Sequence, residues 1–263
     1  MQPLSLCPPP ALRARRGVLT DIDDTLTADG RIAPEALRAL ADLRAAAVPV
    51  IAITGRPAGW SEPFALAWPV AAIVAENGAV MLRRAAGGQL QRDFTQDAPT
   101  RAANFARLQA CAADILARVP GARLATDSAG RLTDIAIDHS EFAHLDAAQI
   151  EQCCALMREH GLQATVSSIH INGWIGSHSK WTAARWAVEA ALGHDFDPAD
   201  WAYVGDSTND QLMFERMPMS VGVANIERFL PQLRWRPAYV TRAARGQGFA
   251  ELAAALLAAR AGA

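Results

Sequence analysis

The sequence predicts an α/β fold built on a parallel β-sheet, with an α+β region inserted into it. Three short, continuously apolar runs end near residues 20, 53 and 75, as strands covered on both faces of a sheet do. A helix with leucines along one face separates the first two runs. After residue 78 the pattern changes to hairpin-like and amphipathic segments, and the earlier alternation resumes at Lys180.

The elements predicted for the core are strands at 17–20, 48–53, 70–75, 201–204, 220–223 and 238–241, and helices at 34–47, 180–192 and 249–260. Those predicted for the insertion are a hairpin of 79–82 and 89–92, helices at 101–119 and 146–160, and strands at 132–138 and 164–172. The chain therefore divides into a first core part (1–77, with 1–16 as a loose tail), an inserted domain (78–175) and a second core part (176–263).

Composition excludes several classes of partner. The formal net charge of -2 gives no electrostatic basis for nucleic-acid binding, and no apolar stretch reaches the ~18 residues of a membrane span. Four cysteines without metal-ligand spacing indicate a reducing, cytoplasmic environment. The sequence leaves monomer and homodimer both open.

Polar residues that could bind a metal or take part in catalysis follow the predicted parallel strands. The run Asp21-Ile22-Asp23-Asp24-Thr25-Leu26 follows the first strand, Thr54-Gly55 follows the second, and Gly205-Asp206-Ser207-Thr208-Asn209-Asp210 follows a later one. Because parallel strands end at one edge of a sheet, we expect these groups to converge with Lys180. Asp21, Asp23 and Asp206 offer the oxygen ligands that Mg2+ prefers. Lys180 and the Thr54 hydroxyl suit phosphate oxygens, so the pattern indicates phosphoryl transfer.

In that order, the acid run, Ile53-Thr54-Gly55-Arg56, an isolated Lys180 and the second acid run resemble the four motifs of the haloacid dehalogenase (HAD) superfamily. The resemblance covers about 1–77 and 176–263, and it implies a Rossmann-like core. Asp24 stands where glycine is commonest in the family, which leaves the local loop geometry open.

The resemblance also implies a role for each matching residue. Asp21 is the nucleophile that forms an aspartyl-phosphate, and Asp23 is the general acid and base. Mg2+ is held by the Asp21 carboxylate, the Asp23 backbone carbonyl and the Asp206 carboxylate. The remaining implied roles are metal support for Asp210 and phosphoryl binding for Thr54, Gly55, Lys180 and Asn209.

The position of the insertion, after the third strand, resembles the type IIB (C2) cap of HAD proteins. Such caps are typical of Cof-like enzymes and of the sucrose-phosphate and mannosylphosphoglycerate phosphatase-like branch, while phosphomannomutases share the arrangement. In the cap, His170 and Asn172 lie two apart on a predicted strand and so share a face. They are candidate substrate contacts, or alternatively a structural histidine and a turn asparagine. Arg56 either faces the cap or is an ordinary surface arginine.

Three functions compete at this point. The leading prediction is a Mg2+-dependent phosphatase acting on a small phosphorylated metabolite, a sugar phosphate or phosphorylated sugar acid. A phosphomannomutase-like phosphomutase would use the same nucleophile but return the phosphoryl group. A binding module that only senses phosphate is the third possibility, and the presence of every catalytic residue type argues against it.

Overall fold

The computed structural model describes residues 1–262, whose strands form two larger sheets and one short hairpin. The strands are β1 (Gln2–Pro3), β2 (Gly17–Thr20), β3 (Thr27–Ala28), β4 (Arg31–Ile32), β5 (Val50–Ile53), β6 (Ala72–Ala75), β7 (Val80–Arg84), β8 (Leu90–Phe94), β9 (Arg123–Leu124), β10 (Asp134–Asp138), β11 (Gln163–Val166), β12 (His170–Trp174), β13 (Trp201–Gly205), β14 (Met219–Gly222) and β15 (Tyr239–Val240). The α-helices are α1 (Pro9–Arg13), α2 (Pro34–Ala45), α3 (Ala58–Ala67), α4 (Ala98–Arg118), α5 (Ala147–Glu159), α6 (Lys180–Leu192), α7 (Gln211–Arg216) and α8 (Arg245–Ala261).

The large sheet has the order β1-β15-β14-β13-β2-β5-β6-β7-β8. Its pairs from β1 to β6 are parallel, and β7 and β8 are added antiparallel. This arrangement confirms the predicted α/β core. It also puts the carboxyl ends of β2, β5 and β13 side by side, because these strands are neighbours in the sheet.

Both faces of the large sheet are covered, which explains why its strands read as continuous apolar runs. Val18 and Val50 pack in one core cluster with Leu40 of α2 and Leu252 of α8. The alternate residues of the same strands pack in a second cluster with α6. Within residues 1–262, no helix combines the length and the apolar composition needed to cross a bilayer.

The second sheet, with the order β11-β12-β10-β9, is antiparallel and forms the cap. One face carries Ile135, Ile137 and Ile171, which pack with Leu108 of α4 and Leu156 of α5 in a third core cluster. The opposite face carries the alternate residues and is directed at the loops of the large sheet, as the contacts below establish. The predicted strand 164–172 is in fact the two strands β11 and β12.

The first sixteen residues are ordered, so the prediction of a loose tail is wrong. Strand β1 pairs in parallel with β15. Leu4 and Leu12 are buried in the core, and Arg13 Nε donates to the carbonyl oxygen of Ala259, at 2.8 Å. Burial of these apolar side chains offsets the conformational entropy that the segment loses on ordering.

The predicted hairpin exists as β7 and β8, but it belongs by its hydrogen bonds to the large sheet. Val80 pairs with Ala75 of β6 in antiparallel register. The separate cap sheet therefore follows Phe94, later than the predicted insertion boundary at residue 78. The division of the chain into domains stays a prediction.

The helix boundaries follow local capping. Helix α4 begins at Ala98, before the predicted residue 101, because the Asp97 side chain accepts a hydrogen bond from the Thr100 amide. Asp146 and Gln149 form a capping box at the start of α5. At the other end of α6, Gly193 adopts a left-handed conformation (φ 69°) and ends the helix.

Candidate active site

Two buried carboxylates stand at the ends of neighbouring strands. Asp21 follows β2 and Asp206 follows β13; these strands pair in parallel, and the Asp21 amide donates to the carbonyl oxygen of Val204 at 2.9 Å. Carboxylate oxygens of Asp21, Asp206 and Asp210 lie within 4.8 Å of one another, and all three residues are buried. The convergence expected from strand topology is thus present.

Lys180 lies between two of these acids. It is the first residue of α6, where the Ser179 side chain caps the helix by accepting from the Thr182 amide. Its Nζ is 2.8 Å from Asp21 Oδ1 and 2.6 Å from Asp210 Oδ1. One ammonium group therefore serves two buried carboxylates.

Asp210 is already saturated with hydrogen bonds. Besides Lys180, its Oδ1 accepts from the Tyr203 hydroxyl at 2.5 Å, and its Oδ2 accepts from the amides of Asp206 (2.8 Å) and Ser207 (3.1 Å). Asp210 therefore fixes the loop that carries Asp206. This geometry fits the supporting role predicted for Asp210 at the metal site.

Asp206, in contrast, has an oxygen without a hydrogen-bond partner in the described part of the chain. Its Oδ2 accepts from Asn225 Nδ2 at 3.0 Å, while Oδ1 is buried and lacks a hydrogen-bond partner among residues 1–262. An unpartnered buried carboxylate oxygen is costly, and a hard cation is the group that would satisfy it. The residues present therefore fit a Mg2+ ion.

The charges of the cluster also favour a bound cation. Burial raises the pKa of Asp21 to about 7, although Lys180 opposes the shift. Burial, with the charges of Asp210 and Asp21, raises the pKa of Asp206 well above its ordinary value. Burial disfavours the charge on Lys180, but Asp21 and Asp210 raise its pKa. Three acids around one lysine leave an excess of negative charge that a dication would offset.

The loop after β5 carries the predicted phosphoryl-binding residues. Thr54 Oγ1 accepts from the Arg56 amide at 3.0 Å, which shapes a tight turn. The Gly55 carbonyl oxygen accepts from Arg131 at 3.0 Å and from Asn172 Nδ2 at 3.3 Å. A Cβ at position 55 would lie 3.1 Å from Asn172 Oδ1, so glycine permits the cap to approach this closely.

Asn209 stands next to Lys180, with its Oδ1 3.4 Å from Lys180 Nζ. It is held there by the Ser207 hydroxyl, which donates to the same oxygen at 3.0 Å. Lys180 therefore joins Asn209 to the carboxylate of Asp21, while Thr54 and Gly55 follow β5, the strand next to β2.

Arg56 faces the cap, the first of its two predicted alternatives. Its Nε is 2.9 Å from Asp23 Oδ1 in the core, and its two terminal nitrogens are each 3.0 Å from a cap carboxylate, of Asp127 and of Glu141. Burial opposes the charge on Arg56, but these acids raise its pKa. Asp23 is thus oriented by Arg56, and its side chain lies outside the cluster of three acids, in keeping with the backbone role implied for it at the metal.

His170 and Asn172 share a face of β12, as predicted, and this face is directed at the core. His170 Nε2 is 2.9 Å from Glu141 Oε2, and Asn172 contacts Gly55. The hydrogen bond from His170, together with Arg56, lowers the pKa of Glu141 to about 2. These partners are within the protein, so substrate contact by His170 and Asn172 stays a prediction.

Asp24 occupies the position at which the family prefers glycine, and its backbone explains the preference. Asp24 has φ 52°, in the left-handed region that glycine adopts without strain. Its carboxylate compensates by pairing with Arg228 at 2.7 Å and with Arg245 at 3.0 Å.

Sequence reasoning missed the cap acids Asp127 and Glu141 as well as the buried carboxylate of Glu76. Glu76 accepts from the amides of Ala58 and Thr133, at 3.0 and 2.6 Å, and so ties the cap to the core. The contacts that join core and cap span 71 residues for Asp127, 85 for Glu141 and 57 for Glu76 with Thr133, and no spacing or motif identifies them.

A cavity of about 470 Å³ opens beside Asp23. We call it the Asp23 cavity; Arg56, Glu141, Phe142 and Arg228 line it among others. If Asp23 is the general acid, as the resemblance implies, the leaving group of a substrate would occupy this space.

Comparison with known proteins finds a partial family match and similar folds. Residues 18–116 match the family profile described as haloacid dehalogenase-like hydrolase. A comparison with curated proteins finds no significant sequence match.

Solved structures with the same fold cover almost the whole chain. Protein 0175 of Thermoplasma acidophilum has a TM-score of 0.70 at 16% identity, covering 92% of this chain and 98% of its own. The sucrose-phosphatase of Synechocystis sp. PCC6803, solved with sucrose and phosphate, has a TM-score of 0.65 at 18% identity, with 92% and 98% covered. A haloacid dehalogenase-like hydrolase from B. subtilis has a TM-score of 0.64 at 15% identity, with 91% and 99% covered.

Proposed function

We propose that this chain, whose residues 18–116 match the haloacid dehalogenase-like hydrolase family, is a Mg2+-dependent phosphatase of small phosphorylated metabolites. One observation carries the proposal: Asp21 and Lys180 form a buried pair beside the unsatisfied Asp206 carboxylate. A nucleophile, a fixed positive charge and a cation site within a few ångströms are what phosphoryl transfer requires.

The residues support a two-step reaction. In the first step, an oxygen of Asp21 bonds to phosphorus, the bond to the leaving oxygen breaks, and Asp23 gives that oxygen its proton. In the second step, Asp23 takes a proton from water, the water oxygen bonds to phosphorus, and the bond to Asp21 breaks. Arg56 holds the Asp23 carboxylate towards the Asp23 cavity throughout.

Phosphoryl oxygens would be bound by the Thr54 hydroxyl, the Gly55 amide, Lys180 and Asn209. Mg2+, held by Asp21, the Asp23 carbonyl and Asp206, would neutralise charge on these oxygens and on the carboxylates. The cap over the site would exclude bulk water.

The substrate class that we favour is a sugar phosphate or phosphorylated sugar acid. The Asp23 cavity supports this choice, because its wall offers hydroxyl and carboxylate groups of Ser140, Glu141 and Ser168 to a polyhydroxylated leaving group. The likeness of fold to a sucrose-phosphatase is in keeping with it. Four buried free thiols fit the cytoplasmic location that we propose.

The test is release of inorganic phosphate from a panel of hexose, pentose and sugar-acid phosphates with Mg2+. We expect turnover of at least one of them and a loss of several orders of magnitude in Asp21→Asn, because the remaining groups do not replace a nucleophile. Arg83→Gln, at the solvated hairpin, is the matched control. An isomerised sugar phosphate without free phosphate would indicate a mutase, and lack of turnover for every compound would refute the proposal.

A further inference from the structure

A second cavity of about 470 Å³ lies between the cap sheet and the start of α6. We call it the Trp174 cavity; its wall includes Thr165, Trp174, His178, Lys180 and Arg216. Among residues 1–262, none lines both this cavity and the Asp23 cavity. Through Lys180 and Asn209, the Trp174 cavity adjoins the proposed phosphoryl-binding residues.

Two buried polar atoms at this cavity have no hydrogen-bond partner within residues 1–262: His178 Nε2 and Thr165 Oγ1. His178 is only 7% exposed, and its ring is positioned beside Trp174, with 5.7 Å between the ring centroids. Thr165 lies directly opposite Asn172 in the cap sheet and shares the face directed at the core. Buried polar groups are nearly always hydrogen-bonded, so both atoms point to a ligand with polar atoms.

The charges of the two cavities differ. The Asp23 cavity is lined by four acids, Asp23, Asp24, Asp29 and Glu141, and by three arginines, Arg56, Arg228 and Arg245. Within the described chain, 1–262, no Asp or Glu side chain lines the Trp174 cavity; its wall includes Arg216 and also Lys180, which is paired with Asp21 and Asp210. A wall that offers hydrogen-bond donors and positive charge selects an anion.

We propose that the Trp174 cavity binds a phosphate oxyanion, with His178 and Thr165 as hydrogen-bond donors and Arg216 as the attracting charge. The inference rests on the proposed function, because the phosphoryl chemistry at Lys180 is what supplies phosphate next to this cavity. Two sources share this chemistry: inorganic phosphate on its way out of the active site, and a second phosphoryl group on the substrate.

The test uses Thr165→Val, which removes the hydroxyl and keeps the shape of the side chain. The variant should become more stable and should bind inorganic phosphate more weakly. The melting temperature of the free protein should rise, because an unpartnered buried hydroxyl is gone. The inhibition constant of inorganic phosphate, measured against hydrolysis of p-nitrophenyl phosphate, should rise about tenfold, as the loss of one hydrogen bond to a charged group predicts.

His178→Phe, which keeps an aromatic ring beside Trp174, should raise the same inhibition constant. Ser61→Ala is the matched control, because the Ser61 hydroxyl is also buried without a partner in the described chain but lies in α3, away from the cavity. Ser61→Ala should raise the melting temperature, as Thr165→Val does, and leave the phosphate inhibition constant unchanged. Inhibition constants of Thr165→Val and His178→Phe within twofold of the wild type would overturn the inference.

Glucose 1,6-bisphosphate and glucose 6-phosphate distinguish the two sources. If Thr165→Val lowers kcat/KM for the bisphosphate more than for the monophosphate, the cavity takes a second phosphoryl group of the substrate. If it changes only the phosphate inhibition constant, the anion is the free product. If the wild type turns over neither p-nitrophenyl phosphate nor any compound of the sugar-phosphate panel, the proposed function is refuted, and phosphate binding followed by melting temperature decides the inference on its own.

Discussion

Replacing Arg56 by methionine tests whether the ion network between core and cap stabilises the protein. Arg56 is 4% exposed and contacts three carboxylates at 2.9 to 3.0 Å. Methionine fills much of the same volume but leaves those carboxylates without their cation. Removing one partner of a buried ion pair costs about 3–5 kcal/mol, so we expect a decrease of ~3–5 kcal/mol in the free energy of unfolding at pH 7.

The matched control is Arg83→Met. Arg83 also pairs with a carboxylate, that of Asp93, but the two side chains are 28% and 32% exposed. Solvent screens such a pair, and its loss should cost only about 0–1 kcal/mol. The comparison separates the effect of burial from the effect of losing an arginine.

The effect of Arg56→Met should also depend on pH. The charge of Arg56 contributes to the low pKa values of Asp127 and Glu141, the latter at about 2. An acid with a lowered pKa stabilises the fold above its unfolded pKa, and that contribution is lost as pH falls through the folded pKa. The difference between wild type and variant should therefore be largest near pH 7 and decrease below about pH 4.

The assay is urea unfolding followed by circular dichroism and by tryptophan fluorescence, with the two curves compared because two sheets are involved. A loss below ~1 kcal/mol, or a loss equal to that of Arg83→Met, would refute the reasoning. It would mean that the three partly buried carboxylates find other partners when Arg56 is removed.

Three further predictions concern single side chains. Mg2+ should raise the melting temperature of the wild type and have little effect on Asp206→Asn, as calorimetric scans with and without EDTA would reveal; an equal shift in both would contradict a cation at this carboxylate. Burial lowers the pKa of His178 to about 4, so stability should fall by ~3 kcal/mol as pH drops from 6.5 to 4, because the unfolded chain binds the proton first. In His178→Phe this fall in stability between pH 6.5 and 4 should disappear. If the variant kept the pH profile of the wild type, His178 would not be its cause. His170→Ala should raise KM several-fold, and an unchanged KM for all substrates would exclude substrate contact.

The sequence was most informative where chemistry and topology coincide. Runs such as Val50–Ile53 identify buried parallel strands, and parallel strands put Asp21 and Asp206 at one edge. The helix α3 escaped prediction because Gly59 and Pro63 lie within its bounds, and both disfavour a helix interior. Tertiary packing outweighs these local preferences, because α3 lies against β7 and β6.

The cap partners of the site lay beyond sequence reasoning for a physical reason. Arg56 is separated from Asp127 by 71 residues and from Glu141 by 85. Neither separation follows from helix or strand periodicity, because the contact depends on how one sheet faces another. In contrast, the shared face of His170 and Asn172 needed only the twofold period of a strand.

Cap side chains bind the turn at Thr54, Gly55 and Arg56. Among them, Arg131 and Asn172 both donate hydrogen bonds to the Gly55 carbonyl oxygen. Movement of the cap away from the core would break these hydrogen bonds and loosen the turn that we propose binds the phosphoryl group. On that proposal, substrate entry and completion of the binding site would be coupled. The open form would then lack a complete phosphoryl-binding turn. It would hydrolyse phosphate esters that bind only transiently less well than the closed form does.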